Sequence, residues 1–170
     1  MEQIRDALAP LHGLRMWGPA RAADMLTLQF GETRTRLSPV SGRRDVGEYA
    51  LHIQCPWRLT EGTRLVVGSG DLHTPANPDA DRETWNWDVV GATWWDRRIE
   101  AFFAERSESL EVQDIIVDSF GGFRLLCSGV TLEVFPSASA APHDVFELWR
   151  LLQPSASTEH FVVRTIGREA

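Results

Sequence analysis

The sequence contains no lysine, so arginine supplies all 17 of its basic residues. An absence this complete is typical of GC-rich codon usage and indicates a bacterial source with a GC-rich genome. The chain also lacks any apolar run near the roughly 18 residues that a membrane-spanning helix requires. Its first residues carry acids and lack a long apolar core, so we expect no secretion signal and no membrane partner.

Cysteine is scarce, with only Cys55 and Cys127 in 170 residues. Both lie inside apolar runs that predict strands, where a free cysteine behaves as a small buried hydrophobic side chain. Without a secretion signal, we expect a cytoplasmic protein whose two thiols are reduced. A buried disulfide is the alternative that two cysteines leave open.

Acidic residues outnumber basic ones by 24 to 17, which gives a formal net charge of −7. A negatively charged surface repels phosphate backbones, so the composition argues against nucleic-acid binding. A basic protein partner is compatible with the same charge. The length of 170 residues fits a single domain, residues 1–170.

Strand signals dominate the chain. The clearest is the alternation of Tyr49, Leu51, Ile53 and Cys55 with other residues, which predicts a strand with one buried face. Turn residues divide the neighbouring segments into hairpins. The other predicted strands cover residues 14–17, 25–30, 34–37, 57–59, 64–67, 110–119, 123–127, 130–135, 145–152 and 161–165. A helix face also fits residues 145–152.

Three further expectations concern connections between these strands. Residues 34–37 are expected to pair back onto the strand that precedes them. Residues 39–44 are predicted as a loop because proline, serine and glycine dominate their start. Residues 68–86 form the longest irregular stretch, and loops of that length inside a compact domain are usually functional or mobile.

Two segments predict helices. Apolar residues at helical spacing mark residues 2–8, and an apolar stripe runs along residues 93–106 with charged residues off it. Thr93 is placed to cap the second helix, and Asp96 three residues later completes a capping box. Strands that flank one helix without regular βαβ alternation predict an α+β fold, with a mainly antiparallel sheet, one long helix at 93–106 and a short N-terminal helix.

The signals for a metal site are weak. His52, Cys55, Asp71 and His73 lie within about twenty positions of one another, and a zinc site needs four such ligands that converge. His52 and Cys55, however, are three apart on one strand and therefore point to opposite faces. The chain has no CxxC, HExxH or glycine-rich phosphate motif.

Two other patterns resemble known sites only in part. The acidic loop from Asn77 to Asp88 mimics a calcium loop, but Arg82 occupies the sixth place, where a glycine is required. Gly68-Ser69-Gly70 follows a strand, yet it lacks the full nucleophile elbow and a following helix. We therefore expect neither a metal nor a cofactor.

Tryptophan is abundant, with seven residues in the chain. Core packing is the expected role of Trp95 and Trp149. Trp85 and Trp87 lie near the end of the long irregular stretch. Exposed aromatic side chains beside arginine mark binding surfaces, so Trp85 and Trp87 are candidates for contact with a ligand or partner.

Two parts of the chain resemble a group of uncharacterised bacterial proteins. The first is Tyr49-Ala50-Leu51-His52-Ile53-Gln54-Cys55-Pro56-Trp57-Arg58-Leu59, followed by Val67-Gly68-Ser69-Gly70-Asp71. The second is Trp149-Arg150-Leu151 with His160-Phe161-Val162-Val163. The resemblance covers about residues 47–165 and implies no particular activity. Small α+β proteins of this kind are also similar in class to the immunity proteins of bacterial toxin systems.

The function that these patterns favour is that of a non-enzymatic binding or interaction protein. It would use the loop at 68–88 and a polar strand face that carries His52, Gln54 and Arg58. One concrete version is an immunity-like protein whose acidic surface blocks a basic toxin.

Two alternatives stay open. A small hydrolase or small-ligand binder would have His52, Asp71 and His73 lining a pocket, with Arg58 binding an anion. A structural domain would instead form a homodimer, through an edge strand or through the tryptophan segment beside the loop.

Overall fold

The chain folds into two five-stranded antiparallel sheets, a separate two-stranded hairpin and two short α-helices, in a computed structural model that describes residues 1–38, 42–106, 109–138, 144–154 and 160–165. The α-helices are α1 (Glu2–Leu8) and α2 (Trp94–Arg106), and 3-10 helices cover Ala9–Leu11 and Ser69–His73. The strands are β1 (Met16–Ala22), β2 (Met25–Phe30), β3 (Arg34–Ser38), β4 (Gly42–Val46), β5 (Tyr49–Ile53), β6 (Trp57–Glu61), β7 (Arg64–Gly68), β8 (Asp114–Val117), β9 (Phe123–Cys127), β10 (Val130–Val134), β11 (Glu147–Leu152) and β12 (Phe161–Arg164). The predicted α+β class with mainly antiparallel strands is confirmed.

The first sheet joins strands from both halves of the chain, in the order β1-β2-β5-β11-β12. Side chains alternate between its two faces, so Leu28 and Leu51 enter the core while Thr27 and His52 lie on the opposite face. The segment 145–152 is a strand from Glu147 onward, and the helical alternative is therefore excluded. This sheet supplies the floor of the site described below.

The second sheet has the order β7-β6-β10-β9-β8, and it contains the predicted hairpin β6–β7 and the predicted meander β8–β9–β10. Its last strand is shorter than the prediction of 110–119. The reason is that Leu110 and Val112 exchange backbone hydrogen bonds with residues 13–16, not with β9. Only Asp114–Val117 pairs within the sheet.

One cluster of buried apolar side chains contains residues from the inner faces of both sheets. The Trp149 ring of β11 lies 5.0 Å from the Phe123 ring of β9, edge to face, and its Nε1 donates to the Gly121 carbonyl at 2.7 Å. Trp95 of α2 meets Trp57 of β6 in the same manner at 6.1 Å. The predicted core roles of Trp95 and Trp149 are confirmed.

Helix α2 begins with the predicted capping box. Thr93 Oγ1 accepts from the Asp96 amide at 3.1 Å, and Asp96 Oδ2 accepts from the Thr93 amide at 3.1 Å. The helix lies where residues 93–106 predicted it, but it has 13 residues and is about 20 Å in length, so the expectation of a long helix is wrong. Within the described part of the chain, no helix is long and apolar enough to cross a membrane.

Two connections differ from the prediction. Strand β1 continues through Gly18-Pro19, where the sequence indicates an end, because a register shift between Trp17 and Ala20 accommodates the proline. Strand β3 pairs with β4 and not with β2. Strand β4 begins inside the predicted loop, at residues 42–44, and residues 39–41 of that loop lie outside the described residues.

Candidate functional site

The candidate site lies on the face of the first sheet that points away from the core. Strand register places Thr27 of β2, His52 of β5 and Arg150 of β11 in one row across this face. The next row contains Gln29, Ala50 and Leu152. Apart from Leu152, the side chains in these two rows are polar or small, whereas the inner face carries large aliphatic ones.

A cavity of about 440 Å³ lies over this face, beneath the hairpin β3–β4. Its volume is within the range of about 300 to 1,000 Å³ that small-molecule sites occupy. The residues that line it are Ala22, Met25, Thr27, Gln29, Arg36, Leu37, Arg44, Val46, Ala50, His52, Leu152 and Pro154. Seven of these twelve are apolar and five are polar, which is the usual composition of a ligand pocket.

Side chains and backbone hold the hairpin over the sheet. At one end, the Gly47 amide donates to Gln29 Oε1 at 2.9 Å. At the other, Arg36 Nη1 donates to the carbonyl of Pro154, just beyond β11. Only glycine fits at position 47, since a Cβ there would lie 2.4 Å from the carbonyl oxygen of Phe30. The roof of the cavity therefore has a defined position.

His52 is the titratable group on the floor of the cavity, and it is half-buried. Burial lowers its pKa below the ordinary value of 6.5, and the charges of Arg150 and Arg44 lower it further. The negative charge of Glu147 raises the pKa of His52, but by less than burial and the two arginines lower it. The neutral form of His52 therefore predominates at pH 7, and it has one ring nitrogen as donor and the other as acceptor.

Beside His52, Arg150 forms a two-point ion pair with Glu147, with Nε–Oε1 at 2.5 Å and Nη2–Oε2 at 2.6 Å. This pairing raises the pKa of Arg150. Gln54 Nε2 also donates to Glu147 Oε1, at 3.0 Å. The predicted residue Gln54 thus belongs to the network beside the cavity, although it does not line the cavity.

The other predicted members of the polar face lie elsewhere. Arg58 belongs to the second sheet, where it pairs with Glu133 at 2.6 Å and stacks 5.6 Å from the Phe135 ring centre. Asp71 Oδ2 accepts from the Gly68 amide at 2.9 Å and so stabilises the short 3-10 helix. His73 is exposed and contacts the Trp87 ring at 6.1 Å.

The structure does not bring His52 together with Asp71 and His73. His52 lines the cavity over the first sheet, whereas neither Asp71 nor His73 does. Asp71 and His73 belong to the 3-10 helix after β7, which packs against α2. The geometry therefore gives no support to a pocket that these three residues share.

Trp85 and Trp87 are half-buried and fixed by hydrogen bonds. Trp85 Nε1 donates to the Ala92 carbonyl at 3.0 Å, and the Trp87 carbonyl accepts from Arg21 Nη2 at 2.9 Å. Exposed apolar surface appears a few residues later. It consists of Val89, Val90 and Trp94, which are 55%, 77% and 40% exposed.

The described residues contain no group of three or more histidine, cysteine or acidic side chains that could hold a metal ion. In the acidic loop, the Asn77 and Asp81 side chains accept from the backbone amides of Asp79 and Glu83. Cys55 and Cys127 are buried free thiols. The side chains of the calcium-like loop are thus used in local turns.

The sequence did not identify the arginines of the hairpin, Arg36 and Arg44, as site residues. Their strands are mostly polar, and only Val46 of β4 is buried, so the period-two signal of an amphipathic strand is weak. A pair of arginines on short polar strands beside the strongest predicted strand is the signal that could have identified them.

Comparisons with known proteins add no assignment. No protein-family model matches the chain, and no curated protein or solved structure matches it significantly. The resemblance to uncharacterised bacterial proteins stays a prediction, as does the cytoplasmic location.

Proposed function

We propose that the protein is a non-enzymatic binding protein for a small organic molecule, which it holds in the cavity beneath the β3–β4 hairpin. The observation that carries this proposal is the convergence of seven apolar and five polar side chains on one cavity of about 440 Å³. A concave, mostly apolar pocket with a few polar groups is the form that ligand sites usually take.

The composition of the lining favours binding over catalysis. Of the described residues, those that line the cavity include no serine, cysteine, aspartate or glutamate. The one hydroxyl among them, Thr27 Oγ1, donates to the Ala20 carbonyl at 3.2 Å. A nucleophile activated by an adjacent base, which covalent catalysis requires, is therefore not built around His52.

A neutral fluorescent probe tests this proposal. N-phenyl-1-naphthylamine brightens when it leaves water for an apolar pocket, and we expect saturable binding to the wild-type protein. Ala50→Phe places a ring in the cavity from its floor and should weaken binding at least about tenfold, since it removes the space for the probe. Circular dichroism and thermal unfolding verify that this variant is folded.

Ala101→Phe is the matched control, because Ala101 is exposed on α2 and does not line the cavity. It should bind the probe as the wild type does. Binding to a folded Ala50→Phe variant with wild-type affinity would overturn the proposal, as would the absence of saturable binding to the wild type.

A second candidate function is protein binding through the surface formed by Val89, Val90 and Trp94, the apolar patch. Contiguous exposed apolar surface marks interaction sites, and these three exposed apolar side chains lie within six residues of the chain. The segment before them carries four exposed acids, Asp79, Asp81, Glu83 and Asp88, and one exposed arginine, Arg82, while the Arg98 guanidinium lies 5.7 Å from the Trp94 ring centre. The charge favours a basic partner over a second copy of this acidic chain, so the patch fits the interaction or immunity-like protein better than the homodimer.

Site-specific photocrosslinking tests the second candidate. A benzophenone amino acid in place of Val90 should give an adduct in cells with a protein of basic surface. The same amino acid in place of Phe120, which is 82% exposed on another part of the chain, is the control and should not form that adduct. Identical adducts at both positions, or none at position 90, would exclude the patch as a specific interface.

A further inference from the structure

Two arginines oppose each other in the roof of the cavity. Arg36 of β3 and Arg44 of β4 are directly opposite in the register of the hairpin, and both line the cavity. Like charges at directly opposed positions of an antiparallel pair destabilise it. Among the described residues, neither forms an ion pair with a carboxylate. An anion between them would relieve this repulsion.

The lining of the cavity also differs in charge from the rest of the chain. The chain carries a net charge of −7, yet the lining contains two arginines, one histidine and no acid. The nearby charge of Arg150 is matched by Glu147, so Arg36 and Arg44 supply the excess. Charged groups arranged in this way favour a ligand of the opposite sign.

Seven of the twelve residues that line the cavity are apolar. Met25, Val46 and Leu152 contribute hydrocarbon surface, and Leu37 lies at the mouth with 79% of its side chain exposed. An exposed leucine beside a cavity is available to a ligand that extends from it. A simple inorganic anion would leave this surface without contact.

We propose that the cavity selects an amphipathic organic anion, whose charged group lies between Arg36 and Arg44 and whose apolar body lies against the first sheet. The inference deepens the proposed function and rests on it, because it names the chemical class of the ligand. His52 donates one hydrogen bond from the floor to the same charged group. Arginine is suited to this role, because its planar guanidinium binds carboxylates and related groups through two hydrogen bonds.

Two probes that share one aromatic framework test the choice of ligand. 1-Anilinonaphthalene-8-sulfonate carries a sulfonate, whereas N-phenyl-1-naphthylamine has none. We expect the wild type to bind the sulfonate at least about tenfold more tightly, since charge-assisted hydrogen bonds are stronger than neutral ones. Arg44→Gln should remove about tenfold of the sulfonate affinity and leave the affinity for the neutral probe within about twofold.

Arg43→Gln is the matched control, because Arg43 is on the same strand, carries the same charge and does not line the cavity. It should change neither affinity by more than about twofold. Competition at constant ionic strength distinguishes the ligand classes further. Octanoate should displace the sulfonate probe, whereas octanol and inorganic phosphate at the same concentration should not.

The outcomes separate this inference from the proposed function. One outcome is that the neutral probe binds saturably, Ala50→Phe abolishes this binding, and the wild type shows no preference for the sulfonate. That outcome overturns the anion inference and leaves the small-molecule site intact. If neither probe binds to the wild type, the anion inference and the proposed small-molecule site are both overturned. Equal losses of sulfonate affinity in Arg43→Gln and Arg44→Gln would show that the preference for the sulfonate comes from general positive charge and not from the cavity. Displacement of the sulfonate probe by phosphate would show that the site binds simple anions. Either result would overturn the anion inference.

Discussion

His52 shows how the position of one residue sets its chemistry. It is on the polar face of a central strand, half-buried, with the positive charges of Arg150 and Arg44 nearby. Burial and these charges both oppose protonation, so they lower the pKa of the imidazole together. The folded protein therefore keeps His52 neutral at pH values where the unfolded chain would protonate it.

The low pKa of His52 predicts a pH dependence of stability. The unfolded chain binds the proton more readily, so the free energy of unfolding falls as the pH drops below about 6.5. His52→Gln removes this contribution, and its stability should fall less between pH 7 and pH 5 than that of the wild type. Urea denaturation at each pH measures the difference.

The exposed His73 provides the control for this experiment. His73→Gln retains His52, so it should keep the wild-type difference in stability between the two pH values. A His52→Gln profile that parallels the wild type would show that His52 does not contribute.

At the scale of elements, a buried ion pair organises the segment between the last 3-10 helix and α2. Arg21 of β1 and Asp96 of α2 have side chains that are only 3% and 6% exposed, and their Nε–Oδ1 distance is 2.7 Å. Arg21 Nη2 also donates to the carbonyls of Trp87 and Val89, both at 2.9 Å. One arginine therefore connects the first sheet, the irregular segment and the helix.

Removal of the charge at position 96 should be strongly destabilising. Asp96→Asn leaves the Arg21 guanidinium buried without a countercharge, and loss of one partner of a buried pair costs about 3 kcal/mol of unfolding free energy. Burial raises the pKa of Asp96, but hydrogen bonds from Arg21 and Thr93 outweigh it and hold the pKa below the ordinary value. Urea denaturation at pH 7 measures the loss.

The matched control for this substitution is Asp88→Asn, since Asp88 is exposed in the same segment. We expect it to change the unfolding free energy by less than about 0.5 kcal/mol. A loss of similar size in both variants would contradict a specific role for the Arg21–Asp96 pair.

Elements with strong local signals could be predicted from the sequence, and elements defined by distant contacts could not. The strands Met25–Phe30 and Phe123–Cys127 were predicted with correct bounds, and Thr93 marked the start of α2. Strand β4 has mostly exposed polar side chains, so its sequence lacks the alternation of apolar and polar residues that would predict a paired strand. His52 lies on a strand with a strong alternating signal, so the sequence identified it as a candidate. Arg36 and Arg44 lie on strands without that signal, so the sequence did not identify them.

At the scale of the whole molecule, both cysteines are part of the core. Cys55 is 6% exposed and Cys127 is 4% exposed, and both belong to the cluster that links the two sheets. Burial raises the pKa of Cys55 to about 12 and that of Cys127 to about 11. Thiol reactivity therefore reports on the opening of the entire fold.

The native protein should be inert to a thiol reagent such as 5,5′-dithiobis(2-nitrobenzoic acid) at pH 8. The thiolate is the reactive form, and both buried thiols are protonated at this pH. In concentrated urea, both cysteines should react promptly. A Thr63→Cys variant adds an exposed thiol and should release one equivalent under native conditions, which verifies that the reagent is active. Rapid reaction of the native wild type would contradict the buried positions.

The hairpin that covers the cavity has a consequence for evolution. Within the described residues, β3 and β4 form ladder hydrogen bonds only with each other. Substitutions in the hairpin can thus alter the lining of the cavity without breaking a ladder hydrogen bond in either five-stranded sheet. Under the proposed function, the part of the ligand preference that Arg36 and Arg44 determine lies outside both five-stranded sheets, so selection can change that part while it preserves the sheets.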